Sequence, residues 1–381
     1  MDALTTPLPK DWEVKTFRDI STINQGLQIP ISQRLKAPTE HAKFYITIQA
    51  LNNRKEFEYI KTYNESVVCH KDDILMTRTG NTGMVITNIE GVFHNNFFKI
   101  NFDRTLINKD FLVYFLSLEQ TQKTILKKAG TSTIPDLNHN DFYSLLIPLP
   151  PLNEQIAIAN ILSGLDRYLY SLDALILKKE SVKKALSFEL LSQRKRLKGF
   201  NQAWQRVRLG DIAEIKRGVR ITKNELDVFG KYPVVSGGVG FLGYTNNFNR
   251  YENTITIAQY GTAGYVNFQK NKFWANDICF CVYPNKDVIK NIFLYYFLKV
   301  NQNYLYEISN RNATPYSISK DKILDFEIPL PPLNEQIAIA NILSALDHEI
   351  TSLKNKKRQF ENIKKALNHD LMSAKIRVLN K

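Results

Sequence analysis

The sequence predicts an α+β chain: two similar mixed α/β globular units joined by two long helices that form an antiparallel coiled coil. Three observations predict it. The chain has 381 residues, enough for two or three domains. A twenty-residue block occurs twice, IPLPPLNEQIAIANILSGLD at 147–166 and IPLPPLNEQIAIANILSALD at 328–347, with only Gly164 against Ala345 different. Each block opens a proline-free stretch whose apolar residues fall four and three apart, the spacing of a coiled-coil seam. The boundaries read as 1–147 and 201–328 for the globular units, with helical segments at 148–200 and 329–381.

The globular units repeat more faintly. Trp12, Asp19, Ile20, Ile23 and Gly26 match Trp204, Asp211, Ile212, Ile215 and Gly218 at an offset of 192. Gly80-Asn81-Thr82-Gly83 matches Gly261-Thr262-Ala263-Gly264, Asn95 matches Asn276 and Tyr114 matches Tyr295, all at 181. The first copy therefore carries eleven extra residues between about 27 and 72. The Asp-Ile-x-x-Ile stretches read as strands, as do 44–48 and 253–258, with glycine turns between them. Residues 110–116 and 291–298 read as helices packed on a twisted, largely antiparallel sheet.

The helical segments follow from proline and spacing. Pro148, Pro150 and Pro151 hold the approach extended, Asn153 is a good N-cap, and Glu154 suits the first turn of the dipole. The seam runs Ile158, Leu162, Leu165, Leu169, Leu172 and Ile176, breaks at Lys179, and resumes at Val182, Leu186 and Leu190. Its second copy runs Ile339, Leu343, Leu346, Ile350 and Leu353, then Phe360, Ile363, Leu367 and Leu371. Each helix is expected to span about 40–45 residues, roughly 60–70 Å. The two seams most simply pair with each other.

Composition narrows the function. Lys+Arg number 51 against 37 Asp+Glu, a net charge of +14, which points to a polyanionic partner and most often to nucleic acid. The helical segments carry +4 each, and the globular units +1 and +5. No apolar run reaches membrane-spanning length, and Met1–Pro7 has no secretory pattern, so a cytoplasmic protein is expected. Cys69, Cys279 and Cys281 are too few for a closed zinc site and odd for a disulfide framework. The six histidines are scattered. Phosphate-cradling, dinucleotide, amino-methyltransferase and nuclease patterns are all missing, so a binding protein is expected rather than an enzyme, with no metal and no cofactor in this chain.

Polar clusters at glycine turns are the candidate base readers. Arg78 and Asn81 in the first unit and Gln259, Tyr260 and Thr262 in the second sit at equivalent places; Arg reads guanine edges, and Gln or Asn reads adenine edges. Lys216, Arg217, Arg220 and Lys223 crowd around Gly218, where the first unit has Gln28 and, further on, Arg34. Arg311 and Asn312 form a third loop, opposite Ala129-Gly130-Thr131. Phosphate contact suits most of these cations better than base contact.

The twice-occurring proline-rich helix entry, IPLPPLNEQIAIANIL at 147–162 and 328–343, together with a Trp-led unit before each copy, resembles the specificity subunit of type I restriction-modification systems. The resemblance covers essentially the whole chain. It implies that each unit is a target recognition domain reading one half of a split, asymmetric double-stranded DNA site. It implies that the helices act as a ruler and dock two modification (methyltransferase) subunits, with restriction subunits joining through the complex. S-adenosylmethionine, ATP and Mg²⁺ then belong to those partner subunits. Docking is expected at the repeated entry: Pro150, Leu152, Glu154 and Gln155, and Pro331, Leu333, Glu335 and Gln336. The competing reading is a non-catalytic coiled-coil scaffold carrying two adaptor domains.

Overall fold

The computed structural model describes residues 8–52, 57–130, 132–312 and 314–378; Met1–Pro7 and Thr131, read above, lie outside them. The chain divides into two units, residues 1–172 with 356–381, and residues 173–355. Each unit thus takes its own globular part, half of one long helix and half of the other.

The first unit holds two four-stranded sheets. One runs Ser21–Gln25, Phe97–Phe102, Ile74–Thr77, Val85–Ile86, all antiparallel. The other runs Tyr59–Ile60, Lys43–Ile46, Gly91–Phe93, Val68–Cys69, and its central pair is parallel. Helices Lys109–Leu116, Glu119–Ala129 and His139–Tyr143 cover the first sheet, with Phe17, Phe98, Phe111 and Phe142 fully buried between them. Glu13–Thr16 pairs with Leu146–Leu149, so the proline-rich approach is also the strand that closes the unit. Pro148 suits a two-stranded edge, where a missing N–H costs little.

The second unit repeats this plan: Ala213–Arg217, Cys279–Pro284, Thr254–Ala258, Val266–Gln269 in one sheet; Phe241–Thr245, Tyr232–Val235, Trp274–Ala275 in the other; and Gln205–Arg208 against Glu327–Leu330. Its second sheet has three strands, not four. The parallel pairs superpose Tyr45 on Val234 and Ile46 on Val235, an offset of 189. The eleven extra residues therefore divide: three precede this strand, and eight follow it, around the additional strand Val68–Cys69.

Two equivalences shift by one. Gly26 and Gly218 are equivalent, because an added Cβ would lie 2.2 Å from the His94 carbonyl oxygen and 2.0 Å from that of Asn276 respectively. Asn276 thus answers His94, not Asn95. Likewise Phe111–Leu116 answers Phe293–Leu298, so the partner of Tyr114 is Tyr296, not Tyr295.

Other expectations change in detail. Asp19-Ile20 lies in a helical turn, Phe17–Ile20, closed by reciprocal Thr16–Asp19 hydrogen bonds, and the strand starts only at Ser21. Residues 44–48 are strand only to Ile46; a short helix begins at Ile48.

The long helices span Leu152–Leu191 and Leu333–Met372, 40 residues each. They begin one residue before Asn153 and Asn334, and the Pro151 carbonyl accepts from Glu154 and Gln155 N–H at 2.9 and 3.0 Å. Within each unit their halves run antiparallel. Glu154 and Asp166 meet Arg377 and Lys364 in the first, and Lys183 and Arg196 meet Asp347 and Glu335 in the second. The seam is buried at Ile158, Leu162, Leu172, Ile176 and Leu190 and at Ile339, Leu343, Ile350 and Leu371. Val182 and Ile363 are half-exposed instead, because Lys183 and Lys364 take the inward positions to reach carboxylates.

Candidate nucleic-acid interface and the repeated clamp

The nearly identical block builds the same clamp in each unit. In the first, Glu154 is 2% exposed. It accepts from Trp12 Nε1 at 3.0 Å and from Arg377 Nε and Nη2 at 2.7 and 2.9 Å. Arg377 also binds Asp11, 2.9 Å from its Nη2, and its proton is held above the usual arginine range by Glu154 first and Asp11 second. In the second, Glu335 is 0% exposed. It accepts from Trp204 Nε1 at 2.9 Å and from Arg196 Nε and Nη2 at 3.1 and 2.6 Å. Position 203 is Ala, so Asp11 has no counterpart.

The neighbouring glutamines are equally occupied. Gln155 accepts from Asn108 N–H at 2.9 Å and donates to the Leu106 and Pro150 carbonyls; Gln336 accepts from Lys290 N–H at 2.7 Å and donates to the Val288 and Pro331 carbonyls. These contacts correct the docking expectation for Glu154, Gln155, Glu335 and Gln336: all four are buried and their polar atoms are spent inside the fold. Pro150 and Pro331 are buried too, and Leu152 and Leu333 are half-buried. The block does present Asn153, Ile156 and Asn160 to solvent, and equally Asn334, Ile337 and Asn341.

A second repeated contact secures the helices. Tyr114 Oη donates to Asp166 at 2.7 Å, and Lys364 pairs with the same carboxylate; Tyr296 Oη donates to Asp347 at 2.7 Å, and Lys183 pairs with it. Burial pushes both phenol pKa values up, and the carboxylate acceptors add to it. The pair is hidden in the sequence because Tyr114 and Tyr296 lie 182 apart, while the block repeats at 181.

The glycine turns are equivalent in backbone. Gly80 and Gly261 have φ of 64° and 77°, Gly83 and Gly264 of 89° and 88°, values that favour glycine. Thr79 bridges Asp136 as Tyr260 bridges Ser317. The side chains differ. Arg78 is held by Asp136 through Nε at 3.0 Å and Nη2 at 2.7 Å. Burial raises the Asp136 carboxyl, but the hydrogen bonds from Arg78 and Thr79 outweigh it and hold it below the usual range. Asn81 is exposed beside them. In the second unit Gln259 Oε1 is buried without a hydrogen-bond partner among the described residues, and Thr262 Oγ1 is bound to the Gly237 carbonyl at 2.6 Å.

The remaining candidates divide by how free they are. Arg34 is spent inside the first unit, on the Ile29 carbonyl and on Glu58 at 3.0 Å. Gln28 is exposed and accepts from Asn95. Lys216 pairs with Glu214 at 3.2 Å, and Arg217 donates to the Asp277 carbonyl. Arg220 and Lys223 are exposed with no ion pair among the described residues. Arg311 donates to the Tyr306 carbonyl at 3.0 Å and stacks on Tyr306 and Tyr316, next to exposed Asn312. The three cysteines are buried and free. Among the described residues no His, Cys, Asp and Glu group is placed to hold a metal ion, and no helix is long and apolar enough to cross a membrane.

The chain is thus two copies of one α+β unit, each tied to a pair of antiparallel helices by a Trp–Glu–Arg clamp around a buried glutamate. Residues 9–179 and 201–362 both match the type I restriction modification DNA specificity domain, and the chain belongs to that family. The family is the DNA-recognition component of type I restriction enzymes, not the catalytic one. The type I restriction enzyme MjaVIII specificity subunit of Methanocaldococcus jannaschii is 25% identical over 98% of this chain and 95% of its own length. A putative type I specificity subunit of Mycoplasma pneumoniae is 32% identical over 40% of this chain and 41% of its own. The crystal structure of the type I restriction-modification S subunit from M. genitalium has the same fold, with a TM-score of 0.68 at 20% identity over 97% of this chain and 98% of that one. A chain from a structure describing complex assembly and conformational transition of the type I R-M system aligns with a TM-score of 0.57 at 16% identity, over 96% and 99%.

Proposed function

We propose that each globular unit reads one half of a split, asymmetric duplex DNA site, in the cytoplasm, as part of a complex with two modification subunits and, through them, restriction subunits. The observation that carries this reading is the contrast within the chain. Equivalent turns hold different readers, Arg78 and Asn81 against Gln259 and Thr262, while the clamps and helices are nearly the same twice. Different readers suit an asymmetric target, and identical segments suit two copies of one partner. The constant 40-residue helices set the spacer. Modification subunits dock on the exposed side of the block, at Ile156 and Asn160 and again at Ile337 and Asn341. S-adenosylmethionine, ATP and Mg²⁺ serve the partner subunits. The test is to express the chain with its modification subunit in a methylation-free host and sequence the DNA for modified adenine. One split motif with a constant spacer supports the reading; a co-purifying complex that marks no motif favours the scaffold instead.

A further inference from the structure

The most exposed apolar residues among those described form a pair, Val228 at 90% and Phe229 at 93%. They sit at the tip of a turn that is firmly built. Asp227 Oδ1 accepts from Phe229 N–H at 2.9 Å, and its Oδ2 accepts from Asn246 at 2.6 Å. The Asp227 N–H donates to the Tyr244 carbonyl at 2.8 Å, and Gly230 N–H donates back to Asp227 at 3.0 Å. Gly230 packs so tightly on the strand Phe241–Thr245 that an added Cβ would lie 2.5 Å from the Thr245 nitrogen. A rigid turn therefore holds an apolar pair out in water, which costs free energy unless a partner covers it.

The surroundings choose the partner. Lys223 and Lys231 flank the tip, exposed and without an ion pair among the described residues. The acids of the same stretch accept local hydrogen bonds: Glu225 from Thr222, and Asp227 from Phe229 N–H and the Asn246 side chain. Lys272 lies 4.6 Å over the Phe248 ring and 5.4 Å over that of Tyr251, which is itself exposed. Cations interleaved with aromatic faces around an apolar tip fit a polyanion with stackable bases, and apolar side chains wedged between base steps are a known way to kink a duplex. The first unit supplies the control. The turns Ile31–Gln33 and Lys223–Glu225 match at an offset of 192, as do the Leu35 and Asp227 N–H groups that donate to the Tyr59 and Tyr244 carbonyls, so Val228 and Phe229 correspond to Lys36 and Ala37, a tip with no large apolar side chain.

We propose that Phe229, supported by Val228, inserts between base pairs of the duplex and deforms only the half-site read by the second unit. This rests on the DNA-reading function above. Deformation energy depends on the step being opened, so the wedge would favour flexible pyrimidine–purine steps without a base hydrogen bond.

The test uses the full chain in complex with its modification subunits. Methylation mapping first defines the half-site assigned to residues 201–328; a wild-type map with no split motif refutes the DNA-reading function itself, before any variant is made. 2-Aminopurine is then placed at successive steps through that half-site. Wild type should raise its fluorescence at one step. Phe229→Ala should abolish that rise and weaken binding about tenfold, the scale of losing one buried aromatic side chain, with the methylated motif otherwise retained. Phe229→Leu should keep most of both, which ties the effect to the apolar wedge and not to folding. Ala37→Ser, at the equivalent place in the first unit, should change neither. Equal affinity and fluorescence in Phe229→Ala overturns the wedge, as does a wild type that opens no step. Loss of the modification subunits from Phe229→Ala, with no change in fluorescence, assigns the tip to a protein partner and also overturns it.

Discussion

Replacing Arg196 with Met isolates what the clamp does. The change removes both charged hydrogen bonds to Glu335, at 3.1 and 2.6 Å, and leaves a fully buried carboxylate facing only Trp204 Nε1. Removing one partner of a buried pair costs roughly 3–5 kcal/mol, mostly as the desolvation of the charge left behind. Arg196 is itself 23% exposed, so water replaces part of it and the lower end, about 3 kcal/mol, is expected. For a unit of this size each kcal/mol shifts Tm by about 2–4 °C, so the transition of the second unit should fall by about 6–12 °C. Thermal unfolding followed by calorimetry, with hydrogen exchange along 204–212 to assign the transition, reads it. Arg196→Met combined with Glu335→Met should recover most of the loss, because exchanging both partners for apolar groups strands no charge. The reasoning is refuted if the single variant lies within about 0.5 kcal/mol of wild type, or if the double variant is no better than the single.

Four further outcomes follow from the same structure. The Asp136 carboxyl is held below its usual value in the folded state, so its contribution is present above the unfolded pKa of about 3.9 and is lost as pH falls through the lower folded value. Protection of the Leu137 amide, which donates to the Arg78 carbonyl, should therefore hold from pH 7 to 5 and fall below about pH 4, and Asp136→Asn should remove that dependence. Arg220→Ala with Lys223→Ala should weaken DNA binding at every sequence and lower the salt slope by about 1–2, leaving the methylated motif intact. Gln259→Ala should relax discrimination at one position of the second half-site only, by about 1–3 kcal/mol, as read by sequencing of methylated sites. Ile156→Asp with Ile337→Asp should abolish co-purification of the modification subunit while lowering Tm by no more than about 4 °C, since both side chains are half-exposed.

The architecture was legible because one chain carries its own comparison. The repeated block marked where both long helices begin, to within two residues, and the faint globular repeat showed that there are two similar units. What failed was local. A constant offset misaligned Tyr114 and Asn95, since one extra residue in the second copy, balanced further on by one in the first, leaves the ends in register and shifts only the middle. The seam failed at Val182 and Ile363, where the adjacent Lys183 and Lys364 are the residues that reach across to Asp347 and Asp166. The Glu and Gln of the block were read as surface groups because polarity says nothing about which partner a distant Trp or Arg will supply. Arg196 and Arg377 lie 181 residues apart, a repeat distance visible in the sequence, yet their role emerges only when each is seen against the glutamate of the opposite block. Among the base-reading candidates, free and occupied cations cannot be told apart without the fold: Arg34 and Arg220 look alike in a list of charges, yet Arg34 is held by Glu58 while Arg220 has no ion pair among the described residues.

The most direct test of the central account, divergent readers on a repeated clamp, is to replace residues 201–328 with the matching unit of a relative and map adenine methylation. The account predicts that one half of the split motif changes, while the other half, the spacer and the recovery of modification subunits stay the same. A change in both halves, or an altered spacer with the helices untouched, would contradict it.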